Sequence, residues 1–152
     1  MSTEGSIFET MTEALIDLLS DVSHRFQVRL RAEAEKADFG LTAFETKALV
    51  TIARLPGSTQ QAIAARIGCD KGQLARAIKG LEARGLIERQ TSASDWRASD
   101  LGLTTAGQAI FVDLQRRRDA IARDCLAKVG AEDRQRLAVI LSTMRDGLKG
   151  DV

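Results

Sequence analysis

The sequence predicts a mainly α-helical chain with one small β-hairpin. Three observations carry that reading. Apolar residues recur at helical spacing over most of the 152 residues. The helical stretches are rich in Ala, Leu, Arg and Glu, and the chain holds a single proline, Pro56. Between Leu86 and Leu103 the pattern changes to two short extended runs around a small polar loop.

The first element runs from Ile7 to about Lys36. Ile7, Met11, Leu15, Leu18, Leu19, Val22, Phe26 and Leu30 mark one face of a helix longer than a small lobe needs for itself, and Asp38–Gly40 end it. Thr42 and Glu45 form a capping box for a helix that turns Phe44, Ala48, Leu49, Ile52 and Leu55 inward, stopped by Pro56-Gly57. Ser58 with Gln61 reads as a second capping box, opening a short helix with Ile63 and Ile67 inward and Gly68 at its end. Asp70 opens the next helix, with Gln73 at the third position, where it can close the cap. Leu74, Ile78 and Leu81 line the inner face, and Gly85 closes the helix with Leu86 set against Leu81, as in a Schellman ending. The hairpin follows, from Leu86 to Thr91 and on to Leu101-Gly102-Leu103. From Thr105 a helix returns with Ile110, Phe111, Leu114, Ile121, Cys125, Leu126 and Val129. After Gly130 a last one carries Leu137, Ile140, Leu141, Met144 and Leu148.

Composition bounds the function. A formal net charge of +1 does not announce a partner for polyanions, so any such role must rest on where the charges sit. No apolar run approaches the roughly 20 residues that span a bilayer. Met1–Glu9 lacks the basic-then-apolar order of a secretory signal. Cys69 and Cys125 stand apart from each other and from the one histidine, His24, so reduced thiols are expected, with no zinc set, no other metal and no cofactor. These readings point to a cytoplasmic protein with no membrane partner. One histidine, no glycine-rich phosphate loop and no nucleophile–base pairing argue against an enzyme.

Ser58–Ile67 and Lys71–Arg84, joined at Gly68-Cys69, have the proportions of a helix-turn-helix. With Leu74, Ile78 and Leu81 inward, the opposite face presents Lys71, Gln73, Arg76, Lys79 and, more peripherally, Arg84. Arginine suits guanine in the major groove, glutamine suits adenine and lysine suits phosphate, while a helix N-terminus adds partial positive charge. A solvated helix face is the alternative reading of the same residues. The agreement of caps, turn and hairpin favours a winged helix-turn-helix lobe. Gln73 keeps two uses open, a cap or a base.

A series of short motifs then falls in register: Leu41-Thr42, Pro56-Gly57-Ser58-Thr59, Ala62-Ile63-Ala64, Ile67-Gly68 with Asp70-Lys71, and Leu81 through Arg89. Ser94-Asp95-Trp96-Arg97-Ala98 and Leu103-Thr104-Thr105-Ala106-Gly107 complete it. This resembles the MarR family of bacterial and archaeal transcriptional regulators. The resemblance implies one MarR-type domain over 1–152, with a DNA-binding lobe at 41–104 and dimerisation helices at 7–36 and 105–149. It implies a homodimer that binds double-stranded DNA at a pseudo-palindromic operator, with half-sites about 34 Å apart, and a repressor is the expected sense. Leu137, Leu141, Met144 and Leu148 offer a seam for such a dimer, or for an intramolecular core.

The same resemblance has Arg97 reach into the minor groove, held by Asp95, where a narrow A·T-rich groove concentrates negative potential. The expected DNA-contacting set is therefore Ser58, Gln60, Lys71, Gln73, Arg76, Lys79, Asp95 and Arg97. Two departures stand out. Trp96 replaces a residue that is often basic in the family, with Asp100 nearby, and Gly72 stands where a small hydroxyl residue is common. A small aromatic or phenolic effector is expected in a cleft near His24, Arg25 and Phe44. The alternative signal is oxidation of Cys69, which sits close to a helix N-terminus. The peroxide-responsive members carry their sensor in the first helix, where this chain has no cysteine.

Overall fold

The computed structural model describes residues 3–91 and 99–148. Six helices and three short strands follow in the order α1 (Thr3–Ala37), α2 (Ala43–Arg54), β1 (Ser58–Thr59), α3 (Gln60–Ile67), α4 (Lys71–Ala83), β2 (Ile87–Thr91), β3 (Ser99–Leu103), α5 (Thr105–Leu126) and α6 (Ala131–Gly147). The mainly helical class with a small β-wing is what the structure has. Two compact units divide the chain, Met1–Phe26 with Arg118–Val152 and Gln27–Arg117, the boundaries falling inside α1 and α5.

In the unit 27–117, the core gathers Ala48, Leu49 and Ile52 of α2, Ile63 of α3, Leu74, Ile78 and Leu81 of α4, and Leu86, Ile87 and Leu101 of the sheet segment. Leu74, Ile78 and Leu81 are completely buried, a stabilisation of about 1.5–3 kcal/mol each. The predicted caps explain the element ends. The Thr42 hydroxyl accepts from the Glu45 N–H at 3.1 Å, and the Glu45 carboxylate accepts from the Thr42 N–H at 2.8 Å, closing the box. At the end of α4, Gly85 takes a left-handed φ of 66°. The Gly85 N–H then donates to the Glu82 carbonyl at 2.9 Å and the Leu86 N–H to the Leu81 carbonyl at 3.0 Å. Both bonds of the Schellman ending are formed.

Two expectations need correction. The cap of α3 is Thr59, not Ser58: the Thr59 hydroxyl accepts from the Ala62 N–H at 3.2 Å, and no box with Gln61 forms. The reason is that β1 holds both Ser58 and Thr59 extended, against Leu101 and Asp100, so the helix starts only at Gln60 and Thr59 stands at the cap position. The hairpin therefore becomes a three-stranded antiparallel sheet in the order β1-β3-β2. A second joint lies between α1 and α5. The Arg117 guanidinium donates to Asp113 at 2.7 Å and to Glu33 at 3.3 Å. Hydrogen bonds from Arg117 and Arg116 hold the Asp113 carboxyl below its ordinary range; those from Lys36 and then Arg117 do the same for Glu33.

The other unit is short of interior. No residue of α6 is buried, and Leu137, Val139, Ile140, Leu141 and Leu148 are all exposed. Along α1, Met11, Leu15, Ile16, Leu18, Leu19 and Val22 are exposed as well. Arg134 donates to the Leu126 and Val129 carbonyls at 2.7 and 2.8 Å, tying the start of α6 to the turn that follows α5. Among the described residues no helix is long and apolar enough to cross a membrane.

Candidate nucleic-acid interface

α4 owes its orientation to its buried stripe. Leu74, Ala77, Ile78 and Leu81 face the core at helical spacing, which forces Lys71, Gln73, Arg76 and Lys79 to the outside. All four are exposed, and none is hydrogen-bonded or ion-paired through its side chain among the described residues. The helix N-terminus is set by Asp70, whose carboxylate accepts from the Gln73 N–H at 3.0 Å. The cap is one-sided, because no reciprocal bond from the Gln73 side chain forms. The Gln73 amide is thus not used on the cap. Ahead of α4, Gly68 ends α3 in the left-handed conformation at φ 69° and sets the turn.

The other expected residues are placed differently. Ser58 is half-buried in β1. Gln60 opens α3, and its side-chain oxygen accepts from the Arg89 guanidinium at 3.3 Å, while the same guanidinium donates to Glu82 at 2.7 Å. Gln60 therefore helps to tie β2 to α3 and α4. Asp95 and Arg97, with Trp96 between them, lie outside the described residues. Arg84, expected at the edge of the basic face, is instead turned to the carbonyls of Phe39 and Gly40. Basic side chains at helical spacing look alike in a sequence, and only the fold separates those that face solvent from those that bind the chain itself.

The residues proposed around an effector divide between the units. His24 and Arg25 are exposed on α1, with Arg25 paired to Asp21 at 2.8 Å. Phe44 is half-buried and packs on the core of the unit 27–117. Cys69 packs there too, its sulfur 4.0 Å from the Ala64 carbonyl oxygen, and Cys125 is exposed. Among the described residues no three metal-ligating side chains come together.

Leu103-Thr104-x-x-Gly107 is evident in the sequence, and its physical cause lies in the fold. The Thr104 hydroxyl donates to the Gly85 carbonyl at 2.6 Å and accepts from the Gly107 N–H at 3.1 Å. The Thr104 N–H donates to the Leu86 carbonyl at 3.1 Å, and a Cβ at Gly107 would overlap that same carbonyl oxygen. The motif therefore clips the start of α5 onto the turn that ends α4.

Residues 41–99 match the sequence model of the MarR family. The fold is similar to that of the transcriptional regulator PA3341, with a TM-score of 0.77 and 24% identity over 90% of this chain and 99% of that one. It is similar to a MarR-family transcriptional regulator from Silicibacter pomeroyi, with a TM-score of 0.72 and 24% identity over 88% of this chain and 89% of that one. Wild-type MarR from E. coli, in its apo form, matches with a TM-score of 0.67 and 23% identity over 86% of this chain and 96% of that one. Residues 41–99 thus carry a MarR-family match, and the fold around them is the winged-helix fold of these regulators.

Proposed function

We propose that the chain is a sequence-specific DNA-binding transcriptional regulator, without catalytic activity, acting in the cytoplasm as a homodimer on a pseudo-palindromic operator. The observation that carries this reading is the outward face of α4, where Lys71, Gln73, Arg76 and Lys79 stand opposite a buried stripe with no partner among the described residues. On this reading 41–104 is the DNA-binding lobe, and 7–36 and 105–149 supply the dimer contacts. Arg76 and Gln73 address bases, Lys71 and Lys79 address phosphate, and Ser58 and Gln60 lie at the edge of the contact. Asp95 and Arg97 are assigned to the minor groove on the family resemblance alone. The exposed apolar residues of α1 and α6 support the dimer, since surfaces of this kind mark protein–protein contacts.

Repression, relieved by a small aromatic or phenolic ligand, is the sense we propose, with His24, Arg25 and Phe44 as candidate ligand contacts. Oxidation of Cys69 is the alternative signal, and its half-buried seat against the core speaks against easy access. The test of DNA reading is binding to the tightest duplex that the wild-type protein selects from a random-sequence library. Arg76→Ala is expected to cost about 1–3 kcal/mol and to relax preference at one base pair. Lys79→Ala is expected to weaken all sequences alike and to lower the salt slope by about 1. If neither change affects binding, or if no preferred duplex emerges, the reading is wrong.

A further inference from the structure

We propose that Arg84 is a positioning residue: it fixes the pitch of α4 by clamping the helix end to the loop between α1 and α2. This rests on α4 being the DNA-reading helix, and the test below separates the two claims.

Arg84 is the C-terminal cap of α4, just before Gly85 reverses the chain. Its guanidinium donates through Nη1 to the Gly40 carbonyl and through Nη2 to the Phe39 carbonyl, the latter at 3.2 Å. Two carbonyls from successive residues suit the fixed fork of a guanidinium and not the single point of an ammonium. The loop is shaped to present them. Asp38 at φ 48° and Gly40 at φ 65° both take left-handed conformations after the last turn of α1. The φ of 65° favours glycine at position 40, and a Cβ there would stand 2.6 Å from Nη2 of Arg84, so a side chain would also push the guanidinium aside.

A second contact lies one turn back on α4. A Cβ at Gly80 would stand 2.8 Å from Oε1 of Glu45, the carboxylate that closes the cap of α2. Gly80 and Arg84 are four residues apart and so lie on one face of α4. The loop and first turn of α2 thus meet α4 twice on that face, once by hydrogen bonds and once by close packing. Arg84 reaches backbone that continues directly into α1, so a displacement of the end of α1 is carried to the reading helix through this clamp.

The experiment compares wild type, Arg84→Ala, Arg84→Lys and Arg76→Ala on two probes. One is the duplex selected by the wild-type protein, and the other is a scrambled duplex of the same composition. Folding at the assay temperature is checked by circular dichroism. Expected for both Arg84 variants is a loss of at least tenfold on the selected duplex, with scrambled-duplex affinity within twofold of wild type and its salt slope unchanged. A role in fold stability alone would lower the melting temperature and leave the folded protein's affinity ratio intact, which overturns the proposal. A direct phosphate contact would weaken both probes, reduce the salt slope by about 1 and be rescued by lysine, and this also overturns it. If Arg76→Ala weakens selected-duplex binding while the Arg84 variants keep the wild-type ratio, the clamp fails and the reading helix stands. If Arg76→Ala has no effect, the DNA-reading assignment itself fails.

Discussion

Alanine at Gly107 tests the clip between α4 and α5 by the sign of its effect. Gly107 lies in the first turn of α5, and replacing a helical glycine with alanine ordinarily stabilises by up to about 1 kcal/mol. Here the added methyl would overlap the Leu86 carbonyl oxygen, which is backbone and has no rotamer to yield. Either α5 moves off, or the Schellman turn at Gly85–Leu86 does. Forced shifts of this kind cost about 1–3 kcal/mol. The movement also loosens the bond from the Thr104 N–H to that carbonyl at 3.1 Å, a further loss of about 1 kcal/mol. Against the gain in propensity, the net expectation is a destabilisation of about 1–3 kcal/mol. Urea unfolding followed by circular dichroism measures it, at fixed protein concentration because association shifts the midpoint. Ala106→Gly, one residue earlier and exposed, is the control and should cost no more than about 1 kcal/mol. A Gly107→Ala protein as stable as wild type, or more so, would refute the reasoning.

Three further outcomes follow from the same geometry. Asp70→Ala removes the acceptor for the Gln73 N–H and should cost about 1 kcal/mol in urea unfolding, with Asp70→Asn largely restoring it. Both Asp113 and Glu33 have carboxyl pKa values lowered in the folded chain, Asp113 chiefly by Arg117 and Glu33 chiefly by Lys36 and then Arg117, so these pairings contribute stability above the ordinary carboxylate range. That contribution is lost as pH falls through the lowered values. Asp113→Asn should therefore flatten the acid limb of a stability–pH curve below about pH 4 and leave its shape above pH 6 unchanged; an unaltered acid limb would count against the pairing. Leu141→Lys places a charge among the exposed apolar residues of α6 and, on the proposed function, should give monomers in sedimentation velocity while the helical content is retained.

Local chemistry was the legible part of this chain. The Thr42–Glu45 box, the glycine stops at Gly68 and Gly85, and the Asp70 cap are contained in segments of a few residues, and each formed where the spacing placed it. Ser58 shows where local reasoning fails. Serine and threonine are both good caps, and the choice fell to Thr59 because pairing with Leu101 and Asp100, more than forty residues away, keeps both residues extended and delays the helix to Gln60. The surroundings of Arg84 and Gln60 were hidden for a related reason. Each is a plausible DNA contact by type, and each meets a distant partner, the Phe39–Gly40 carbonyls and Arg89, that no helical periodicity reveals. Leu103-Thr104-x-x-Gly107 was the opposite case: the residues were evident, while their cause lay in the turn at Gly85–Leu86.

The modest net charge of +1 also takes on meaning once the cations are placed. Residues 41–104 carry nine basic and six acidic side chains, a surplus of +3, so the remaining helices carry −2. Several of those basic groups are committed inside the unit 27–117: Arg54 to Gln115, Arg84 to the loop carbonyls and Arg89 to Glu82. Of the described basic residues that remain, Lys71, Arg76 and Lys79 share the exposed side of α4, with the partial positive charge of its N-terminus at Lys71, while Lys47 and Arg66 are exposed on α2 and α3. On the proposed function, base discrimination depends on how accurately α4 is held. The structure holds that helix by the Asp70 cap at one end, the Gly85 turn and Thr104 clip at the other, the Arg84 clamp beside them and a fully buried stripe along its length.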